Sequence, residues 1–146
     1  MKIFKIFFST FFFAFSMSLQ GALSPLAEAV KMGDIIAVKL IIQNGVDINQ
    51  KDPLYWMPLH FAAMLGHHDI IMLLLEHGAD INKTSCWGWT PLHAATASNQ
   101  IEAAKILIQH GADIYKKSPE DRTPLDCLSP ELRIKFLRFG NNQSWD

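Results

Sequence analysis

Two groups of side chains in this 146-residue chain have the chemistry to hold a metal or attack a substrate: the run His67, His68, Asp69, and the thiols of Cys86 and Cys127. Imidazoles beside a carboxylate are zinc-type ligands, and a thiol made acidic by its surroundings is a nucleophile. Spacing argues against the metal. Side chains that share a helix face stand three or four residues apart, whereas His67 and His68 are adjacent and point in different directions. Neither cysteine has a recognisable base beside it, no serine lies in a GxSxG turn, and no glycine-rich phosphate loop occurs. These patterns point away from an enzyme and imply no catalytic residue, no metal site and no cofactor. A metal-dependent or thiol-based protective factor using His67, His68, Asp69 or the cysteines is the alternative.

The elements that position these groups come from repetition. Pro25, Pro58, Pro91 and Pro124 each precede a leucine, and Gly45, Gly78 and Gly111 keep the same 33-residue step. In the copy that begins at Pro58, the proline suits a first helical turn, where its missing N–H costs nothing. Leu59, Ala62 and Ala63 fall on one face of a short helix that Gly66 ends. Ile70, Ile71, Leu74 and Leu75 form a second apolar helix, closed by Gly78, because glycine accepts the left-handed conformation of a helix C-terminus. His77 and His110 precede the closing glycines, where a protonated imidazole meets the negative end of the helix dipole. Helices of about eight to ten residues are marginal alone in water, so each pair must bury its apolar face against the next.

The copies are SPLAEAVKMGD from Ser24, MPLHFAAMLGH from Met57, TPLHAATASNQ from Thr90 and TPLDCLSPELR from Thr123, with second halves LIIQNGVDIN, LLLEHGADIN and LIQHGADIY. In period and in the TPLHxA phrase the chain resembles the ankyrin repeat. The resemblance covers about residues 23–140 and implies an all-α solenoid of stacked helix-turn-helix units joined by hairpin loops. Repeats run over about 24–56, 57–89 and 90–122, with a C-terminal capping repeat over 123–140 and a polar tail over 141–146. It also implies that His60 and His93, at the TPLH position, tie loops together through their imidazoles. Terminal units read as caps: Ala27 stands where the next copies have His60 and His93, with Glu28 and Lys31 adding polarity. The last copy has Cys127, Leu128 and Pro130 in place of the alanine helix, followed by Arg133, Lys135 and Arg138.

Residues 1–18 are a different object. Lys2 and Lys5 precede an apolar run from Ile6 to Phe15, and Ser16, Met17 and Ser18 give a small-x-small cleavage pattern, so the segment reads as a signal peptide. Cleavage is expected after Ser18, or else after Gly21. The run is short of the roughly 20 apolar residues that span a bilayer, although Met17, Leu19, Ala22 and Leu23 extend it toward an uncleaved anchor, which would make the protein a membrane-tethered spacer. The expected location is secreted or periplasmic, with no membrane contact after cleavage. Richness in Ile, Phe, Lys and Asn suits an AT-rich bacterium.

Removing Lys2 and Lys5 leaves 11 basic against 14 acidic residues, a balance with no basic stripe for nucleic acid. The remainder makes one elongated, monomeric domain. Cys86 in a loop tip and Cys127 early in the last unit hold different repeat positions, so two free thiols are expected. The sequon at Asn82 is explained by its match to Asn49; Asn142, in the tail, is the more accessible acceptor if the source glycosylates.

Positions that vary between copies are free to carry specificity. The loop tips PLYW, CWGW and PEDR gather Tyr55, Trp56, Trp87 and Trp89 on neighbouring projections. By resemblance these tips line a concave groove also bordered by Met64, Leu65, Ala97 and Ser98. The expectation is a protein-binding surface anchored by aromatic side chains. In the competing reading Trp56 and Trp89, one period apart, stack on each other and stiffen the fold.

Overall fold

The computed structural model of the chain describes residues 24–140. The signal peptide expected over 1–18 or 1–21, the tail 141–146 and Asn142 lie outside the described residues. Those described form seven α-helices and one 3₁₀ turn, with no strand among them: α1 (Pro25–Met32), α2 (Ile35–Gln43), α3 (Pro58–Leu65), α4 (His68–Glu76), α5 (Pro91–Ala97), α6 (Ile101–Gln109), the 3₁₀ turn Pro124–Cys127, and α7 (Pro130–Gly140). The all-α solenoid expected from the period is the observed fold.

Each unit is a helical hairpin, and the hairpins lie side by side in two layers. α1 packs on α3, α3 on α5, and α5 on the 3₁₀ turn; behind them α2 packs on α4 and α4 on α6. The front layer approaches closely because the residues between its helices are small: Ala29, Ala62 and Ala95, one period apart, are all buried. Leu26, Leu59, Leu92 and Leu125 form a parallel buried row, and Val38, Ile71 and Ala104 a third in the back layer. The core is thus a continuous strip along the stack, which follows from units that bury their faces only against neighbours.

Hydrogen bonds repeat at the same step. Asn49 donates Nδ2–H to the Gly78 carbonyl at 3.2 Å and accepts the Asp80 N–H at 2.8 Å. Asn82 does the same with Gly111 and Asp113, at 3.5 and 2.8 Å. Each amide therefore clasps its loop to the next, and Asn82 is a structural residue whatever its sequon suggests. The third equivalent position is Tyr115, and no further loop of this kind follows among the described residues. Asp47, Asp80 and Asp113 each accept the N–H two residues on, fixing the turn that presents the clasp.

Gly66 closes α3 with φ +72°, and the Gln100 side chain of the next unit occupies the space that a Cβ would fill. Both facts demand glycine there. In the following unit the position is Asn99, at φ 58°. The residue that would approach it, Arg133, is instead paired with Asp126 at 2.9 Å, so tolerance of the left-handed region suffices, and asparagine supplies it.

The fourth unit departs from the pattern, as its sequence suggests. Its first helix shrinks to the 3₁₀ turn because Pro130 follows at once, and a residue before a proline ring is pushed out of the helical region. Leu128 and Phe136 are buried and close the end of the core.

Candidate functional site

Three loop tips project from the N-terminal ends of the front helices, and one hydrogen-bond pattern builds all of them. In the first, Asp52 N–H donates to the Trp56 carbonyl at 2.8 Å and Tyr55 N–H to the Asp52 carbonyl at 2.9 Å. Ser85 with Trp89 and Gly88, and Ser118 with Arg122 and Asp121, repeat it. The geometry requires positive φ at one residue per tip: Tyr55 at 59°, Gly88 at 69° and Asp121 at 62°. Asp52 reinforces the first tip by accepting from Leu54 and Trp56 N–H on Oδ1, at 2.8 and 2.7 Å.

The tips are also joined to one another. Cys86 N–H donates to the Leu54 carbonyl at 3.2 Å. Gly88 lies so close to the Pro119 ring that a Cβ there would overlap it. Below them His60 Nδ1 accepts the Met57 N–H at 3.3 Å, which places its proton on Nε2, and Nε2 donates to the Trp89 carbonyl at 2.9 Å. His93 repeats this with Thr90 N–H and the Arg122 carbonyl, at 3.2 Å each. These two imidazoles do tie each unit to the tip of the next. Burial pushes the His60 pKa down to about 4 against the raising effect of the Trp89 hydrogen bond, and lowers that of His93 for the same main reason. Asp126 takes the histidine's place in the last unit, accepting from Thr123 N–H and Oγ1–H at 2.9 and 2.7 Å. Among the described residues no further tip lies beyond it, and an acceptor alone serves there.

The residues proposed for partner binding fall into distinct environments. Tyr55 is 54% exposed and Trp87 51%, and Leu54, which the sequence reading did not single out, is 49% exposed on the first tip. Lys51 Nζ sits 5.1 Å from the centre of the Tyr55 ring. Trp56 is only 9% exposed, so its expected role as an open anchor is corrected. Its ring packs on His60 at 5.4 Å and Phe61 at 5.3 Å, and receives Trp87 edge-on at 6.3 Å. Its Nε1 is buried without a hydrogen-bond partner. The expected Trp56–Trp89 stack is replaced by two separate contacts, because Trp89 lies half-buried against His93, 6.2 Å between ring centres. The physical reason is the front helix of each unit, which offers Phe61 beneath Trp56 but Ala94 at the equivalent place in the next copy.

Met64, Leu65, Ala97 and Ser98 stand at the opposite ends of α3 and α5, roughly 10 Å along the helix axes from the tips. Met64 is half-buried and packs on the core, while Leu65, Ala97 and Ser98 are exposed. The expected binding residues therefore fall into two exposed patches, the tips at one end and Leu65, Ala97 and Ser98 at the other, with Pro58–Ala63 and Pro91–Thr96 buried between them.

The groups that suggested chemistry are dispersed. His67 packs its ring against Gly33, and His68 and Asp69 open α4 as exposed residues. Among the described residues no three His, Cys, Asp or Glu side chains gather as a metal site. Both cysteines are free: Cys86 is exposed, and burial pushes the half-buried Cys127 thiol up in pKa. His77 and His110 each donate Nδ1–H to a carbonyl four residues back, at 2.9 and 2.8 Å, which satisfies the last turn of their helices. No helix among the described residues is long and apolar enough to cross a membrane.

Comparison with known proteins agrees with this architecture. A 52-residue segment is 38% identical to the Ankyrin repeat and SOCS box protein 2 of Mus musculus, covering 36% of this chain and 8% of that protein. Another of 47 residues is 43% identical to Protein phosphatase 1 regulatory subunit 27 of Homo sapiens, covering 32% of this chain and 30% of that one. A third, of 50 residues, is 38% identical to the human Arf-GAP with coiled-coil, ANK repeat and PH domain-containing protein 2, over 34% of this chain and 6% of that protein. The match thus spans less than a third of each relative's length. Residues 26–118 match the family described as Ankyrin repeats (3 copies). With the period, the clasped loops and the paired helical layers in agreement with that match, the chain belongs to the ankyrin repeat family.

Proposed function

We propose that this protein is an exported, non-enzymatic binding module that holds a protein partner on its loop tips and along the adjoining front helices. Ankyrin repeats are in general protein–protein interaction modules rather than enzymes. The observation that carries the reading is the exposure of Leu54, Tyr55 and Trp87 on two tips that hydrogen bonds hold in fixed positions. Large apolar side chains on a preformed surface give up little conformational freedom on contact, so more of their burial appears as affinity. Trp56 and Trp89 support that surface from beneath, and Leu65, Ala97 and Ser98 form a second patch at the far ends of those helices.

Substituting Trp87→Ala tests the reading. With the wild-type chain as bait in its native organism, the retained partner is expected to bind about 30-fold more weakly to the variant, the effect of losing an anchor worth roughly 2 kcal/mol. Melting temperature is measured alongside, because Trp87 also rests on Trp56. Unchanged capture with lowered melting would reject the surface. Export rests on the N-terminal residues and has its own readout: the intact mass of the chain recovered outside the cytoplasm is expected to begin at Leu19 or Ala22. Recovery of the unshortened chain in the membrane fraction would favour a tethered form.

A further inference from the structure

We propose that Trp56 is a concealed hydrogen-bond donor of the binding surface: a partner turns the Trp87 ring aside and sets a neutral carbonyl oxygen, flanked by an apolar side chain, on the Trp56 Nε1–H. This rests on the loop tips being the surface that holds a protein partner. The starting point is an orphaned group. Trp56 is 9% exposed, and its Nε1 is buried with no acceptor. Buried donors are nearly always paired, and one left unpaired forfeits the hydration it had in the unfolded chain. Among the described residues no other tryptophan N–H is buried without a partner, so the donor is particular to the first tip.

None of the three rings against the indole can satisfy it. His60, 5.4 Å away between ring centres, has Nδ1 occupied by the Met57 N–H and Nε2 donating to the Trp89 carbonyl. Phe61 has no acceptor atom, and the Trp87 indole is a donor only. An acceptor therefore comes from outside, and one ring alone can make way for it. His60 and Phe61 are buried on α3, whereas Trp87 is half-exposed on a loop tip. It meets Trp56 edge-on, at 77°, and exposed side chains change rotamer within nanoseconds. Turning it breaks none of the hydrogen bonds that build the tip, which run through Ser85, Cys86, Gly88 and Trp89.

Charge on the first tip selects the kind of acceptor. Asp52 Oδ1 is held 2.7 Å from the Trp56 backbone nitrogen, so a carboxylate brought to the same residue would meet a fixed negative charge. Lys51, the neighbouring cation, sits over the Tyr55 ring. A peptide or carboxamide carbonyl meets no such repulsion. The exposed side chains of Leu54 and Tyr55 on that tip are apolar or aromatic and suit an apolar side chain next to the carbonyl. The turned Trp87 ring stays available to the partner, so the loss of capture expected for Trp87→Ala is unaffected.

Titrating the chain as recovered with isovaleramide and with isovalerate, an amide and a carboxylate of one shape, tests this. The readout is NMR of the indole N–H signals, that of Trp56 being identified by its contacts with His60 and Phe61. Isovaleramide is expected to bind with millimolar affinity, as suits so small a molecule, and to move the Trp56 signal toward a hydrogen-bonded frequency. Isovalerate should bind more weakly. Trp56→Phe, which keeps a ring but removes the donor, should weaken isovaleramide about fivefold. Trp87→Ala should bind it at least as well as the wild-type chain, because the covering ring is gone. A Trp56 signal unmoved up to about 100 mM overturns the proposal. Isovalerate binding as tightly as the amide does the same, and so does equal binding to a folded Trp56→Phe. Loss of isovaleramide from Trp87→Ala also overturns it, since the fragment then lies on the outer face of that ring. The wild-type and Trp87→Ala titrations stand even if Trp56→Phe fails to fold. No partner is present, so an unmoved Trp56 signal with capture still weakened by Trp87→Ala removes the concealed donor and keeps the binding surface.

Discussion

Lowering the pH from 6.5 to 4 is expected to remove roughly 3 kcal/mol of folding stability through His60 alone. Its pKa is 6.5 in an unfolded chain and about 4 in the fold, and each unit of difference is worth about 1.4 kcal/mol. Between those values the unfolded state binds the proton and the folded state does not. Stability therefore rises with pH through this window, is fully present above 6.5, and is lost as the pH falls to about 4. The structural cause is that Nδ1 accepts the Met57 N–H while Nε2–H is committed to the Trp89 carbonyl. A second proton on Nδ1 would break the first bond and leave a charge in the core. His93, lowered by burial in the same way, adds to the loss. Asp126 acts in a separate window. Its hydrogen bonds from Thr123 and the Arg133 charge hold it below 3.8, so its contribution disappears only in stronger acid. Urea denaturation at half-unit pH steps measures the profile. A stability that stays level between 6.5 and 4, or a His60→Gln variant with an unaltered slope, would sink the argument.

The second large effect concerns the coupling between units. Ile41, Leu74 and Leu107 stand one period apart on the back helices, but Leu74 and Leu107 are fully buried while Ile41 is only half-buried. Leu74→Ala is expected to cost about 3–4 kcal/mol, the range for a leucine truncated in a packed core. Ile41→Ala should cost about half of that, because the side chain removes less area from water. Denaturant midpoints measure both, and the slope adds a check: a decreased m-value for Leu74→Ala would show that the outer units unfold separately from one another. Equal losses at the two positions would contradict a core built by stacking, in which an interior residue is buried from both sides and a terminal one from a single side.

Much of this architecture is legible in the residues because its cause is local and repeated. Proline before leucine, glycine after the second helix and apolar residues at helical spacing act within a few residues of themselves, and the period multiplies the signal. Even the departures are readable: Pro130, coming directly after a short apolar stretch, leaves room for only a 3₁₀ turn. His60 and His93 were legible as ties through the resemblance, although the chain alone does not reveal which carbonyls they reach.

The candidate surface was legible only in outline. Three tryptophans on two tips looked alike, yet one is buried, one half-buried and one open. Phe61 lies beneath Trp56, Ala94 stands at the matching place in the next unit, and His93 takes the ring of Trp89. Phe61 and His93 lie only five and four residues from the rings they touch, but the contact is made only once each tip has folded back over its helix. Leu54 escaped notice because its backbone carbonyl is tied to the second tip by Cys86 N–H while its side chain stays exposed, which only the fold reveals.

From its amino acids alone, then, the chain determines the length of its unit, the two short helices within each, and the places where those helices start and stop. Which side chains meet water was decided by the tertiary structure: Trp56 under Trp87, Asn49 and Asn82 in clasps, Ile36 and Leu40 uncovered. Backbone preference is settled by a residue and its nearest neighbours, whereas burial is settled by the unit alongside, 33 residues away in the sequence, and by whether such a unit exists at all.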